Sequence, residues 1–213
     1  MWHMLIEASL ETLYMVLAAS FIAVIGGLPL GAVLYATRPG RPWQRPFLHN
    51  VLSVIVNITR SVPFIILMIA IIPFTRLLVG SSIGVNAAIV PLAVGALPFY
   101  ARLAESALSE VPYGLVEAGL SMGARPVQVI TRVLLPEALP GLVNAITITV
   151  IALVGYSAMA GTIGGGGLGA LAINYGYNRF DVEVMLSTVI VLIVLVQGLQ
   201  MLGDWIVHKL LNR

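Results

Sequence analysis

The residue best placed to do chemistry in this chain is Arg60, a single arginine inside a long apolar run. A charge at the centre of such a run costs about 3 kcal/mol on insertion scales unless it is paired or hydrated, so it marks a candidate functional site. Asn57 and Ser61 add polar groups beside it. Two interpretations stay open: Arg60 forms a structural ion pair with Glu105 or Glu110, or it shapes a polar route and meets a carboxylate there.

A second polar group lies toward the end of the fourth apolar run, where Tyr156, Ser157 and Met159 stand between Gly155 and Gly161. Small residues let two helices approach closely. A methionine is flexible and polarizable, so it fills irregular constrictions. These residues therefore serve either helix packing alone or a gate in the same route.

The sequence supports neither metal binding nor nucleotide binding. The three histidines are far apart in the sequence and form no plausible metal-ligand set. A phosphate-binding loop needs a lysine after its glycines, and the only lysine is Lys209. We read the glycine run at 164–169 as a flexible turn. We expect no catalytic residue, no metal and no cofactor in this chain.

The composition places these residues in a membrane. Of 213 residues, 59% are hydrophobic and 9% are charged, against about 25% charged in soluble domains. That excludes an ordinary soluble enzyme and a disordered chain. The formal net charge is only +2 and the basic residues are scattered, so no nucleic-acid partner is expected.

Five apolar runs are long enough to cross a bilayer, which takes roughly 20 residues. They cover about 10–36, 51–79, 87–108, 139–160 and 182–207. Backbone polar groups in lipid must be bonded internally, so we expect five transmembrane helices in one all-α domain over residues 1–213.

Basic residues predict the orientation, because they favour the cytoplasmic side. The segments between runs one and two and between runs three and four, together with the C-terminus, carry most of them. The opposite side has Arg76 and Arg179 only. We expect the N-terminus outside and the C-terminus in the cytoplasm.

The long connection at 109–136 is patterned as two short helices. Ser109 is suited to cap the first, and Gly123 is suited to end it in a left-handed conformation. Pro126 is suited to start the second helix and Pro136 to end it. The pattern alone leaves open whether this unit lies on the membrane surface or docks into a partner.

The same segment resembles the EAA motif of ABC importer permeases, whose residues form a coupling helix against the ATP-hydrolysing subunit. The matching residues are Glu117, Ala118, Gly119, Gly123, Val133, Leu135 and Pro136. Two positions depart from the motif, with Gly119 in place of alanine and Val133 in place of isoleucine. We expect Gly119 and Gly123 to leave a bare stripe that the partner approaches.

Further stretches resemble methionine-importer permeases, including LYATRPG, VNITRSVPFIIL and LVGYSAMAG followed by GGGGLG. The resemblance implies a type I ABC importer fold in the bacterial cytoplasmic membrane, working as a homodimer on methionine. It also implies two ATP-binding subunits that hold ATP and magnesium, and an external substrate-binding protein or lipoprotein. Two alternatives remain: a permease for another small amino acid or related solute, and a stand-alone secondary transporter. Secondary transporters often contain internal repeats, and none is visible here.

Overall fold

The computed structural model describes residues 2–41 and 43–212, which are helical and contain no β-strand. The α-helices, in chain order, are α1 Trp2–Thr37, α2 Pro46–Ser61, α3 Phe64–Ala70, α4 Ile72–Val79, α5 Val85–Glu110, α6 Tyr113–Ser121, α7 Pro126–Val129, α8 Leu135–Glu137, α9 Leu139–Gly161, α10 Gly167–Leu171 and α11 Val182–Leu211. Two π-helical stretches, Ile130–Leu134 and Ala172–Tyr177, directly follow α7 and α10.

Helices α1 and α5 pack closely along their length, because glycines remove the side chains between them. A Cβ added to Gly31 would lie 2.6 Å from the carbonyl oxygen of Ala101, and one added to Gly27 would lie 2.9 Å from that of Leu97. Two glycines four residues apart let two backbones meet in this way within a membrane.

Four helices, α1, α5, α9 and α11, are long and apolar enough to cross a membrane. The predicted second run at 51–79 is not one helix, which corrects the sequence-based expectation. It is divided into α2, α3 and α4, and α2 and α3 meet at an angle of 100°. The cause is Pro63, which lacks an N–H and holds Val62 in an extended conformation with ψ at 125°. The described residues therefore contain four spans, or five if the bent pair is counted as one.

The interior is a continuous set of small and branched side chains. One cluster packs α1, α5 and α9 around the fully buried Met15, Leu92 and Leu153. A second cluster joins Tyr35 and Tyr100 to Leu134 in the predicted coupling segment. Many large apolar side chains face outward from α1 and α11, as expected for helices whose solvent is lipid.

Different connecting segments lie at the two ends of the helical bundle. At one end, the Arg41 guanidinium lies 5.1 Å from the centre of the Tyr113 ring, and Leu211 shares a cavity with Pro112. At the other end, the N–H of Gly84 donates to the carbonyl of Gly164 at 2.8 Å. The basic connections and the C-terminal helix end therefore share one side of the molecule.

The glycine-rich segment begins with a turn, as expected, which includes Gly164, but Gly167 and Gly169 belong to a short helix. Helix α10 packs against α1 and α9, and the π-helical stretch that follows it packs against α11. The N–H of Gly167 donates to the Glu11 carboxylate at 2.7 Å, and that of Leu168 donates to the Thr12 hydroxyl at 2.9 Å. Gly166 and Gly167 have φ of 80° and 73°, a conformation that side chains disfavour.

Candidate translocation path and coupling surface

The coupling unit, residues 112–137, differs from its predicted form at both ends. Ser109 belongs to α5, where its hydroxyl donates to the carbonyl of Glu105 at 2.8 Å, so it does not cap α6. Pro126 does begin α7, as predicted. Pro136 does not end the helical path. It occupies the first turn of α8, where a missing N–H costs nothing, and the path turns only at Ala138.

The prediction that Gly123 ends the first short helix is confirmed. Its φ is 80°, and two hydrogen bonds close the end of α6. The N–H of Gly123 donates to Leu120 at 2.9 Å, and that of Ala124 donates to Gly119 at 3.1 Å. This pair of bonds is the Schellman motif, which favours glycine at the left-handed position.

The bare stripe predicted for the partner is wrong at one of its two glycines. Gly119 is buried, and a Cβ there would lie 3.3 Å from Cγ2 of Val129. It therefore lets α6 pack on the second half of its own unit. Gly123 has nothing within 4 Å of an added Cβ, so it faces open space. Val116, fully buried, fixes α6 to the core cluster.

The remaining residues of the motif divide between the interior and the surface. Glu117 and Ala118 are exposed, while Val133 and Leu135 are partly buried against the core cluster, and Pro136 is exposed. Apolar side chains around them also face outward, with Met122 83% exposed and Val127 51% exposed. An acidic residue beside exposed apolar side chains on a rigidly held unit forms a surface suited to a protein partner.

Arg60 forms neither of the ion pairs considered for it. Its guanidinium lies 5.7 Å from the centre of the Phe99 ring, within cation–π range. Glu105 instead pairs with Arg102, three residues before it on α5. Arg60 thus keeps its hydrogen-bond donors available to another group.

Arg102 is a functional candidate that the sequence analysis did not select, having counted it only among the basic residues of the cytoplasmic side. Its side chain is 22% exposed, and it donates to the Asn57 side-chain oxygen at 3.0 Å as well as to Glu105. Ser61, also predicted for the path, is exposed and bonds only to the carbonyl of Asn57. The signal that could have found Arg102 is its charge three residues from Glu105 inside an apolar run.

Two cavities meet at Arg60. The larger, about 500 Å³, is lined by charged residues that include Arg38, Arg60, Arg102 and Glu105. The smaller, about 160 Å³, is lined mostly by apolar and aromatic side chains and includes Arg60 and Tyr156. Arg60 is shared by the linings of both cavities.

The three residues predicted on the fourth run point in different directions. Tyr156 lines the smaller cavity and stacks on Phe64, with ring centres 4.7 Å apart. Ser157 is 2% exposed and its hydroxyl donates to the carbonyl of Val154, so it packs within the subunit. Met159 is 45% exposed. The structure therefore brings Arg60 and Tyr156 together and separates both from Ser157.

Within residues 2–41 and 43–212, the structure contains no group of three or more histidine or acidic side chains that could hold a metal ion. A charged cavity and an aromatic cavity that share one arginine together suit the recognition of a small polar solute.

The apolar spans, with the short helices of residues 112–137 packed on their core, are the fold of a membrane permease of the type I ABC importer class. The family profile described as "binding-protein-dependent transport system inner membrane component" matches residues 27–213. The chain belongs to this family of multi-pass inner-membrane proteins, and its relatives are methionine transport permeases.

Among the relatives, the probable D-methionine transport system permease protein MetI of Vibrio cholerae is 55% identical over 210 residues, covering 99% of this chain and 93% of the relative. The D-methionine transport system permease protein MetI of Escherichia coli is 58% identical over 161 residues, covering 76% of this chain and 74% of the relative.

Solved structures agree with the fold. An inward-facing structure of the MetNI methionine ABC transporter superposes with a TM-score of 0.97 at 53% identity, covering 99% of this chain and 97% of that one. An amino acid ABC transporter solved with histidines superposes with a TM-score of 0.79 at 19% identity, covering 97% and 94%, which shows a shared fold only.

Proposed function

We propose that this chain is the permease subunit of an ATP-driven importer that carries methionine across the inner membrane. The observation that carries the proposal is the coupling unit, which exposes Glu117, Ala118 and Gly123 and is fixed to the core by Val116 and Leu134. The similarity of the whole chain to methionine permeases supports methionine as the substrate.

The chain works with partners, since its sequence lacks the glycine-rich loop followed by lysine that binds ATP phosphates. Two copies form a homodimer around a central path, and each coupling unit binds one ATP-hydrolysing subunit, which holds ATP and magnesium. An external substrate-binding protein or lipoprotein delivers methionine. Closure of the two ATPases on ATP draws the coupling units together and shifts the path between inward-open and outward-open states, which differ in their affinity for the solute.

The proposed topology has five spans, the second bent at Pro63, with the N-terminus outside and the C-terminus in the cytoplasm. Its support is the collection of basic connections at the end that carries the coupling unit, since basic residues favour the cytoplasmic side.

The path passes Arg60, which joins the charged cavity to the aromatic one. Its unpaired guanidinium attracts the carboxylate of the amino acid, and Asn57 holds the neighbouring Arg102. Met159, exposed toward the end of α9, narrows the path where two copies meet.

The test is reconstitution of this chain in liposomes with its ATPase and binding protein. Methionine uptake should require ATP on the side of the liposome membrane that corresponds to the cytoplasm. Uptake should stop when the ATPase cannot hydrolyse ATP. Uptake by the permease alone, driven by an ion gradient, would instead identify a secondary transporter.

A further inference from the structure

The smaller cavity has the chemistry of a binding site for one particular kind of amino acid. Its lining pairs one cation, Arg60, with the rings of Phe64, Phe99 and Tyr156 and the aliphatic side chain of Leu67. A carboxylate of the ligand matches the Arg60 guanidinium. An unbranched apolar side chain of the ligand matches the aromatic rings and Leu67. Sulfur in a thioether contacts aromatic rings favourably.

The aromatic wall of this cavity is held in place by its own packing. The rings of Phe64 on α3 and Tyr156 on α9 are stacked, with centres 4.7 Å apart and planes 8° from parallel. Phe64 is buried, which limits its freedom to move. A preformed wall loses little side-chain entropy when a ligand arrives.

Gly95 of α5 keeps the cavity open. A Cβ added there would lie 3.4 Å from Cδ2 of Leu67 and 3.5 Å from Cδ2 of Phe64, which is ordinary van der Waals contact. An alanine therefore fits the fold and takes its volume from the cavity. The cavity has a volume of about 160 Å³, so an added methyl group removes part of the space that a ligand side chain could occupy.

We propose that this cavity, which we call the thioether pocket, holds the methionine side chain during transit while Arg60 binds the carboxylate, and that Gly95 sets the length of side chain accepted. This inference rests on the proposed function. Because Arg60 also lines the larger charged cavity, the carboxylate leaves the thioether pocket toward that side without losing its cation.

The test uses the reconstituted complex of permease, ATPase and binding protein, with a methionine analogue that carries a diazirine in its side chain. Irradiation during ATP turnover should label peptides of α3, α5 and α9 that contain Phe64, Gly95 or Tyr156, and excess methionine should suppress the labelling. In Gly95→Ala, labelling should fall about tenfold or more, the effect expected of one methylene in an apolar pocket.

The matched control is Gly198→Ala, which adds the same methyl to α11 where nothing lies within 4 Å. It should label like the unchanged protein. Melting temperature and ATPase co-purification show whether Gly95→Ala still folds. If it does not fold, Leu67→Ala provides the second variant and should raise labelling by longer-chain analogues.

Label confined to other helices, or absent from all of them, while methionine uptake continues would overturn the thioether pocket and leave the proposed function intact. Equal labelling of Gly95→Ala and the unchanged protein would also overturn it. Loss of ATP-dependent methionine uptake in the unchanged protein would overturn the proposed function itself.

Discussion

The backbone N–H of Gly167 donates a hydrogen bond to the carboxylate of Glu11, 156 residues earlier in the chain, at 2.7 Å. The contact fixes the start of α10 to α1, and Thr12 accepts the next N–H of the same helix. A buried N–H that loses its acceptor costs free energy, so this contact organises the end of the molecule opposite the coupling unit.

Replacing Glu11 tests that contact. Glu11→Ala should lower the free energy of unfolding by about 1–3 kcal/mol, because Gly167 is buried and its N–H donates to the Glu11 carboxylate. Glu11→Gln keeps an oxygen acceptor and should lower the free energy of unfolding by less than Glu11→Ala does. The measurement is the melting temperature of the purified complex in detergent. Glu7→Ala, at an exposed position one turn earlier, is the control. Equal melting temperatures for Glu11→Ala and Glu7→Ala would contradict the prediction.

Topology is testable by cysteine labelling, since the natural chain has no cysteine. Thr162→Cys and Tyr177→Cys should react with an impermeant thiol reagent applied to whole cells, and Ser121→Cys should react only after permeabilisation. All three positions are exposed. Gly165 is unsuitable, because a Cβ there would lie 2.7 Å from the carbonyl oxygen of Ala160. The reverse labelling pattern would invert the proposed orientation.

Met159 provides a test of the dimer path. Met159→Cys should cross-link to the same residue of a second copy under mild oxidation, because a disulfide requires Cα atoms within roughly 7 Å. Ser157→Cys should not cross-link, since that side chain points into its own subunit. The measurement is the dimer band on non-reducing gels in each nucleotide state. A dimer band from the Ser157 variant alone would refute the proposed position of Met159.

The coupling unit is tested at Gly123. Gly123→Leu should reduce methionine uptake and ATPase co-purification while the chain still inserts, because a side chain resists a φ of 80° by about 1 kcal/mol or more and projects into open space on the docking surface. Gly80→Leu is matched in conformation, with a φ of 79° and open space around it, but ends α4 at the opposite end. Normal uptake by Gly123→Leu, or equal losses in both variants, would show that this surface does not dock the ATPase.

Much of this architecture follows from the sequence. Long apolar runs give membrane helices because lipid offers no hydrogen bonds to the backbone. Gly123 and Pro126 end and begin helices for local steric reasons, and the structure has them in those roles. The motif from Glu117 to Pro136 identified the family because its spacing is specific. The rule that a proline ends a helix gave a wrong prediction at Pro136. Proline is tolerated in the first turn of a helix, so Pro136 does not end the helical path.

Only the tertiary structure decided which side chains of different helices meet. The pair of Arg102 and Glu105 follows from a spacing of three residues on one helix. The contact of Arg60 on α2 with Phe99 on α5 does not follow from any spacing, and neither does the place of Arg60 in the lining of two cavities. The bend at Pro63 and the stacking of Phe64 on Tyr156 join residues far apart in sequence. Sequence spacing reports neighbours on one helix, whereas contacts between helices depend on packing angles that no single run of residues encodes.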